Sequence, residues 1–377
     1  MPVIPDIRWI DSADALDDAC QALSQAPVLA LDTEFFREKT FHPVPALIQI
    51  YGGDATYLID PLEVACTERC RQLLTNDALK LLHASSEDLE VFGHWAGVAP
   101  TPLVDTQVAQ GLLGEDAAMG YQRLVEFWVG ETLPKEETRS NWLERPLSDS
   151  QLSYAALDVV YLLMVWQHQR ESLERHGRLE WVLEDCTDLV AQSQRSSESD
   201  GQWYLRQRQL WRLAPRQVEA YRLMTTWREG EARARDLPRN WVIQDRVLYA
   251  IAEKMPANRH DLAAVEGVKP TLIKREGDTL LAMVKQAAHR EASELAPAPL
   301  APTLPPFKAR MKALKKVVNL DAESLGVAPE VLLRRRELEA LVTASLRNQP
   351  LPLPGGWRGE RLNERLEGAL GELAQVG

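Results

Sequence analysis

The sequence predicts an α/β unit built on a mixed β-sheet, followed by two all-α units. Strand-like apolar runs lie close together near the start of the chain and then alternate with helical patterns. Beyond residue 203 the apolar residues recur at helical spacing, as in Val218, Tyr221 and Met224. Two breaks divide the chain: a polar stretch at 193–202, and a stretch at 292–306 that contains five prolines.

These breaks set the predicted domain boundaries, because 377 residues suffice for two or three separate cores. The predicted domains are residues 1–200, 203–292 and 307–377. The predicted elements of the first domain are strands at 28–35, 46–51 and 56–59, a helix at 63–75, a strand at 79–83, a helix at 86–96, a strand at 103–105 and helices to about 175.

The net charge of −12 is unevenly distributed along the chain. Residues 1–202 carry a net charge of −20, whereas 203–294 carry +5 and 295–377 carry +3. An acidic first unit joined to two basic units is typical of a metal-dependent catalytic body with helper modules that approach a polyanion. Ordinary solvated helix surface is the alternative explanation.

Composition argues against secretion and against membrane insertion. The sequence has no uncharged apolar stretch of about 18 residues, and its first twenty residues are acidic. The four cysteines, Cys20, Cys66, Cys70 and Cys186, show no C-x-x-C spacing, as expected of a protein in a reducing compartment. We therefore expect a cytoplasmic protein.

Asp158 is a charged residue inside an otherwise apolar helical run at 154–163. Ser148 and Gln151 form an S-x-x-Q capping box, which predicts a helix that carries Tyr154 and Asp158 one turn apart on one face. An ionised carboxylate among aliphatic side chains costs on the order of several kcal/mol unless it is compensated. A metal ion or a buried arginine would compensate Asp158, while Tyr154 alone would be a packing residue.

Asp32 and Glu34 end a buried strand and project from the same face of it, because strand side chains alternate. Carboxylates so close together repel and raise each other's pKa, and divalent cations would remove that penalty. Oxygen ligands suit Mg²⁺ or Mn²⁺, and no Cys/His cluster indicates zinc. Taken alone, the two acids would more often form salt bridges at a sheet edge.

Together these acids resemble the three motifs of the DEDDy exonucleases. The matching stretches are 31–35 with Asp32 and Glu34, 83–89 with Asp88, and 151–159 with Tyr154 and Asp158. Further stretches are similar to the ribonuclease D family: Arg37-Glu38, Phe41 with Pro43, 47–50, 104–107 and 142–147. Phe41 departs from the family pattern, in which tyrosine often stands there.

The second unit resembles an HRDC domain, a helical nucleic-acid-binding module. The resemblance rests on Gln217, Arg222, Leu223, Trp227, Arg228, Ala232, Pro238, Val247, Leu248, Leu262 and Gly267. Residues 308–375 resemble a second, divergent copy, through Leu332, Leu333, Leu338 and Leu341. Trp227 and Trp241 are expected in the core of the first copy.

The resemblance implies an RNase H-like exonuclease domain that removes mononucleotides from RNA 3′ ends, as in the trimming of tRNA precursors and other structured RNAs. Two divalent cations, Mg²⁺ or Mn²⁺, would activate the attacking water and stabilise the leaving 3′ oxygen. It implies that Asp32 bridges both ions, that Glu34 and Asp158 complete the water-activating site, and that Asp88 holds the second ion directly or through water. Tyr154 would orient the attacking water.

Two other functions use the same residues. A DNA-directed 3′–5′ exonuclease would need the same carboxylates, and a non-catalytic RNA-binding scaffold would retain the helical units. Retention of all five site residues argues against the scaffold. Arg37, Arg139 and Arg145 are candidates for phosphate contacts, or alternatively for ion pairs. A monomer is expected, because a ring of domains formed by one chain would suffice.

Overall fold

The computed structural model describes residues 6–114, 116–133, 137, 140–196 and 201–374. Its sheet has six strands in the order β1-β4-β3-β2-β5-β6. The strands are β1 Asp6–Ile10, β2 Val28–Phe36, β3 Val44–Tyr51, β4 Ala55–Ile59, β5 Leu79–Leu82 and β6 Leu103–Asp105. β2, β3 and β4 form the predicted antiparallel meander, while β5 pairs parallel with β2 and β6 pairs parallel with β5. The predicted mixed sheet is confirmed.

The helices of the first part flank this sheet, and those of the second and third parts form helical units. The first part contains α1 Ala13–Leu23, α2 Glu68–Thr75, α3 Ser86–Trp95, α4 Thr106–Gly111, α5 Tyr121–Val129, α6 Asp149–Arg175 and α7 Leu179–Ser196. The second contains α8 Pro215–Ala234, α9 Arg239–Val242, α10 Asp245–Lys254, α11 Arg259–Ala263 and α12 Pro270–His289. The third contains α13 Pro305–Leu325, α14 Pro329–Leu332, α15 Arg335–Leu346 and α16 Gly356–Ala374.

β1 and α1 were not among the predicted elements. β1 is an edge strand that pairs in parallel with β4, and only its last residue, Ile10, is buried. Five residues at an edge give little apolar periodicity, so the strand gains its partner through tertiary contact rather than local pattern.

The helix predicted at 63–75 begins only at Glu68, because Thr67 caps it by accepting the Cys70 N–H at 3.2 Å.

The two faces of the sheet have different roles. Leu29, Leu31 and Ile48 project from one face into an apolar cluster with residues of α1, α2 and α3. α6 crosses the opposite face, where its residues contact β2, β3, β4 and β5. Because side chains alternate along β2, Asp32 and Glu34 lie on the α6 face.

The apolar clusters do not follow the three predicted domains one by one. The second unit has a cluster of its own, to which the exonuclease part contributes Phe41. The third unit instead shares one cluster with the sheet and with α6 and α7, including Leu162, Trp166, Phe307 and Leu366. The third unit is therefore part of the structural support of the sheet.

The contact between α7 and α16 fixes the third unit in place. Trp181 and Trp357 stack with ring centroids 4.4 Å apart and planes 4° from parallel. Asp185 accepts hydrogen bonds from the Trp357 indole at 3.0 Å and from the Arg358 guanidinium. Such an aromatic and ionic junction joins residues more than 170 positions apart in the sequence.

Two further observations concern the surface. Trp241, expected in the core, is 57% exposed, because the four-residue α9 presents it on the outside while Val242 fills the interior. Within the described residues, none of the helices combines the length and the apolar character needed to cross a lipid bilayer.

Candidate active site

β2 carries two acids of the site on the interior of the sheet rather than at its edge. It lies between β3 and β5, and its register with β3 pairs Asp32 with Gln49 and Glu34 with Leu47. The register shifts directly after Glu34, at an irregularity between Glu34 and Phe35. Among the described residues neither Asp32 nor Glu34 has an ion-pair partner, so the salt-bridge alternative does not apply.

α6 supplies the third acid from above the sheet. Its start is fixed by the predicted capping box, in which Gln151 N–H donates to Ser148 Oγ at 3.2 Å and Ser148 N–H donates to Gln151 Oε1 at 2.9 Å. The helix carries Tyr154 and Asp158 one turn apart, and both side chains are buried. The predicted placement of these two residues is confirmed.

α3 carries Asp88, and a constrained turn precedes this helix. Ala84, just before the helix, has a φ of +52°. Asp105, at the end of β6, holds that turn by accepting hydrogen bonds from the N–H groups of Ala84 and Ser85 at 2.9 and 2.8 Å. The family motif at 104–107 therefore has a structural role, which is to fix the start of the helix that carries Asp88.

Asp32, Glu34 and Asp158 form the centre of the site. One carboxylate oxygen from each lies within 4.8 Å of the other two. Asp158 Oδ1 is buried and has no hydrogen-bond partner among the described residues. No arginine among the described residues pairs with Asp158, so the buried-arginine alternative is wrong. Three converging carboxylates with an unsatisfied buried oxygen fit a hard divalent cation, which would supply the missing positive charge.

Asp88 lies outside this group of three. Its Oδ1 accepts a short hydrogen bond from the hydroxyl of Thr33, which lies on the other side of β2 from Asp32. Asp88 is buried, and its charge still contributes to raising the pKa of Asp32 and Glu34. Asp88 therefore influences the site through its charge, while its own carboxylate is hydrogen-bonded to Thr33.

Burial and mutual repulsion favour the protonated forms of these acids. Burial, followed by the charges of Asp88, Asp158 and Glu34, raises the pKa of Asp32 well above its usual range. Burial raises the pKa of Glu34 to about 9, that of Asp158 to about 8 and that of Asp88 to about 6. Bound cations would reverse this preference, because they stabilise the ionised carboxylates.

Tyr154 and Tyr121 surround Asp158 with phenols that remain protonated. Burial raises the pKa of Tyr154 above its usual value, and the Tyr154 phenol in turn works against the increase in the pKa of Asp158. The Tyr121 hydroxyl donates to the main-chain carbonyl of Asp158. Tyr154 can therefore donate a hydrogen bond at the site. Because its phenol stays protonated, it does not supply the phenolate that a general base would need.

The candidate phosphate contacts Arg37 and Arg145 are engaged within the protein. Arg145 binds Asp60 through Nε at 2.6 Å and Nη2 at 2.7 Å, and it also donates to the Ala46 carbonyl at 2.7 Å. Arg37 donates to the Phe41 carbonyl at 3.0 Å and pairs with Glu90 at 2.7 Å. The third candidate, Arg139, lies outside the described residues.

Gln49 lies beside the candidate active site, although the sequence indicated it only as a member of the stretch 47–50. It is fully buried opposite Asp32, and in the part of the chain that the structure describes neither the nitrogen nor the oxygen of its side-chain amide has a hydrogen-bond partner. Directly opposed residues of antiparallel strands share a face, with Cβ atoms about 5 Å apart. The signal available in the sequence was a glutamine within an apolar strand, Leu47-Ile48-Gln49-Ile50.

Comparisons with known proteins cover nearly the whole chain. A family described as 3′-5′ exonuclease matches residues 7–174, and the HRDC domain family matches residues 217–284. Ribonuclease D of Pseudomonas paraeruginosa is 41% identical over 374 residues, which are 97% of this chain and 98% of that protein. The chain belongs to the ribonuclease D family.

Other relatives agree with this assignment. Ribonuclease D of Escherichia coli is 35% identical and aligns with 98% of this chain and 99% of that protein. The crystal structure of Escherichia coli RNase D, an exoribonuclease involved in structured RNA processing, superposes with a TM-score of 0.88 and 34% identity, covering 97% of this chain and 99% of that one. The chain is thus a ribonuclease with a metal-dependent 3′–5′ exonuclease domain and an HRDC domain.

Proposed function

We propose that this protein releases mononucleotides from RNA 3′ ends and matures structured RNAs such as tRNA precursors. One observation carries the proposal: oxygens of Asp32, Glu34 and Asp158 converge within 4.8 Å, with one buried oxygen left unsatisfied. The named relatives support RNA as the substrate, and Escherichia coli RNase D supports the structured class of RNA. They do not favour the DNA-directed alternative.

Asp32, Glu34, Asp88 and Asp158 are the residues we propose as ligands of two divalent cations, Mg²⁺ or Mn²⁺. Such ions supply positive charge to the scissile phosphate and acidify a water molecule. An oxygen of Asp32 lies within 4.8 Å of oxygens of both Glu34 and Asp158, which suits a shared ligand. Asp88 would act through a water, or directly after its hydrogen bond to Thr33 is broken.

Tyr154 is proposed to orient the attacking water. Its phenol keeps its proton because burial raises its pKa. It can therefore donate one hydrogen bond and fix the position of an oxygen beside Asp158, while the carboxylates of the site receive the proton that the water loses. The indole of Trp142, with its ring centroid 6.1 Å from that of Tyr154, restricts the orientation of the phenol.

The proposed division of labour follows the predicted domains. Residues 1–200 would cleave, and 203–292 and 307–377 would hold RNA, the last as a divergent HRDC-like unit. We propose a monomer, because both helical units contact the first part of the same chain. Cellular RNA precursors as substrates favour a cytoplasmic location.

The decisive experiment compares RNA and DNA of identical sequence, each labelled at its 3′ end, with and without Mn²⁺. We expect labelled mononucleotide to be released from RNA in the presence of Mn²⁺ and not in the presence of EDTA. Faster release from DNA than from RNA would contradict the proposal. A hairpin RNA with a single-stranded 3′ tail then shows whether trimming stops near the helix.

A further inference from the structure

A row of lysines follows one face of α13 in the third unit. Lys308, Lys312, Lys315 and Lys316 are spaced three or four residues apart or adjacent, so they lie on successive turns about 5.4 Å apart. All four are exposed. Neither family match reaches this helix, because the exonuclease match ends at residue 174 and the HRDC match ends at 284.

These lysines border a groove of about 600 Å³ between α13 and α15. Phe307 and Met311 form part of an apolar floor, and Leu320, which is 54% exposed, extends it. Asn319 and Arg335 add hydrogen-bond donors to the rim. None of the five proposed active-site residues lines this groove, so it is a separate feature of the molecule.

The charge of the lysine row is not neutralised by acidic partners. In the described part of the chain the ion pairs are made by arginines, as between Arg170 and Glu174 or between Arg235 and Glu231, so the charge of the row is available to a ligand. No described acid forms an ion pair with any of the four lysines, and the groove's Glu339 is paired with Arg335. Glu323 is therefore the one acidic residue of the groove that no ion pair neutralises.

The arrangement is unfavourable for the helix by itself. Lys308 lies in the first turn of α13, where a positive charge opposes the helix dipole. Lys312 repels Lys308 and Lys316, each four residues away. A polyanion laid along the row would relieve both penalties, and the apolar floor would accept the sugar and base surfaces that a phosphate backbone carries with it.

We propose that this groove binds the ribose-phosphate backbone of the substrate RNA away from the 3′ end that is cleaved. The inference rests on the proposed function, because it assumes that RNA is the substrate. Lysines that contact phosphates as point charges hold a backbone without reading its sequence. The groove would therefore secure structured RNAs of many sequences while the active site removes their 3′ nucleotides.

The test uses the full-length protein with Lys312, Lys315 and Lys316 all changed to glutamine. Its matched control changes Arg69, Arg170 and Arg175, three exposed arginines of the first unit, to glutamine and so removes the same net charge outside the units proposed to hold RNA. A third variant changes the first three lysines to arginine. Binding of a hairpin RNA with a single-stranded 3′ tail is titrated in EDTA, so that the RNA is not cut, over a series of salt concentrations.

We expect the groove variant to bind the hairpin roughly tenfold or more weakly and to lower the slope of log K against log salt by about two to three. The arginine variant should bind as the wild type does. Cleavage of a short single-stranded oligonucleotide by the groove variant should be unchanged, which shows an intact active site.

Three results would overturn the inference: wild-type binding and slope in the groove variant, an equal loss in the control, or an equal loss of short-strand cleavage. The first would mean that the groove does not hold RNA, and the second that net charge alone attracts RNA. Failure of the proposed function is a different result, because the wild type itself would then cleave no RNA.

Discussion

The carboxylate of Asp236 accepts a hydrogen bond from the main-chain N–H of Phe41 at 2.9 Å, across 195 positions of the sequence. The same oxygen accepts the N–H of His42 at 3.0 Å. The Phe41 ring lies under the guanidinium of Arg239, 4.6 Å from its centroid. The first helical unit therefore holds the loop that follows β2, and Phe41 needs no hydroxyl to be held there.

Changing Asp236 to glycine should release this loop. Asp236 has a φ of +49°, which glycine adopts without strain, so the variant removes the carboxylate alone. We expect a loss of about 1 kcal/mol in the free energy of unfolding, and faster proteolysis within residues 37–43. Asp236→Asn is the control, because asparagine tolerates this conformation and keeps an acceptor oxygen. Equal protease sensitivity of the two variants would show that the hydrogen bonds do not hold the loop.

Changing Asp32 or Asp158 to asparagine should separate stability from activity. Each change removes one charge from a cluster in which the acids repel, so the metal-free variant should melt at a temperature equal to or above that of the wild type. Turnover should fall by at least about 10³-fold, because a cation ligand is lost. Thermal melting in EDTA and nucleotide release in Mn²⁺ measure the two effects. A folded Asp158→Asn variant with near wild-type turnover would disprove the assignment.

The metal-free protein should lose stability as the pH rises from about 5 to about 9. Burial raises the pKa of Glu34 to about 9 and that of Asp158 to about 8, whereas such carboxyls titrate near pH 4 in the unfolded chain. Between these values the folded state holds more protons, so stability decreases with increasing pH. Divalent cations bind the ionised acids, so the increase in melting temperature caused by Mg²⁺ should be larger at about pH 8 than at about pH 6.

Differential scanning calorimetry in EDTA and in Mg²⁺, at about pH 6 and about pH 8, measures these melting temperatures. The Asp158→Asn variant is the matched control, since it should show a weaker pH dependence in EDTA. A metal-free melting temperature that rises between these two pH values would contradict the raised pKa values.

Tyr154→Phe removes one hydroxyl and should leave metal affinity within a few-fold of the wild type. Because the phenol would position the water rather than hold a cation, kcat should fall by about 10²-fold with little change in KM. Tyr161→Phe, on the same helix, is the control and should keep full activity. Calorimetric titration with Mn²⁺ supplies the second measurement. Loss of metal binding together with activity would make Tyr154 a structural residue.

Gln49→Met should stabilise the metal-free protein and lower its activity. Methionine is similar in volume and removes an amide that is fully buried without partners, which costs about 1–3 kcal/mol. We expect weaker Mn²⁺ binding, because the amide lies opposite Asp32. Thr56→Val is the control, since the Thr56 hydroxyl is also buried and unpartnered but lies on β4. It should gain stability with activity unchanged.

The parts of the structure that could be predicted from the sequence are those with a local signal. Strand alternation placed Asp32 and Glu34 on one face, and the capping box at Ser148 set the phase of α6 and with it Asp158. β1 could not be found in this way, because five residues at a sheet edge carry little pattern of their own. The acids of the site could be identified from the sequence, because Asp32, Glu34 and Asp158 are charged residues within apolar runs.

Long-range contacts carried no such signal. Arg145 was a candidate for phosphate binding. Only the fold shows that its guanidinium is bound by Asp60, 85 positions away. Thr33 likewise engages Asp88 across 55 positions, so the protein itself holds one of the four acids. Each of these pairings depends on which strands become neighbours, and composition and spacing do not specify that.

The stacking of Trp181 on Trp357 has a consequence for the nascent chain. The ribosome makes α7 first, and the partner residues on α16 follow more than 170 positions later, roughly 10–35 s at ordinary rates of translation. During that interval Trp181 lacks its stacking partner, and the apolar cluster that the sheet shares with the third unit is incomplete. A polypeptide cut short by a broken message would therefore expose part of this apolar cluster, which chaperones and proteases bind.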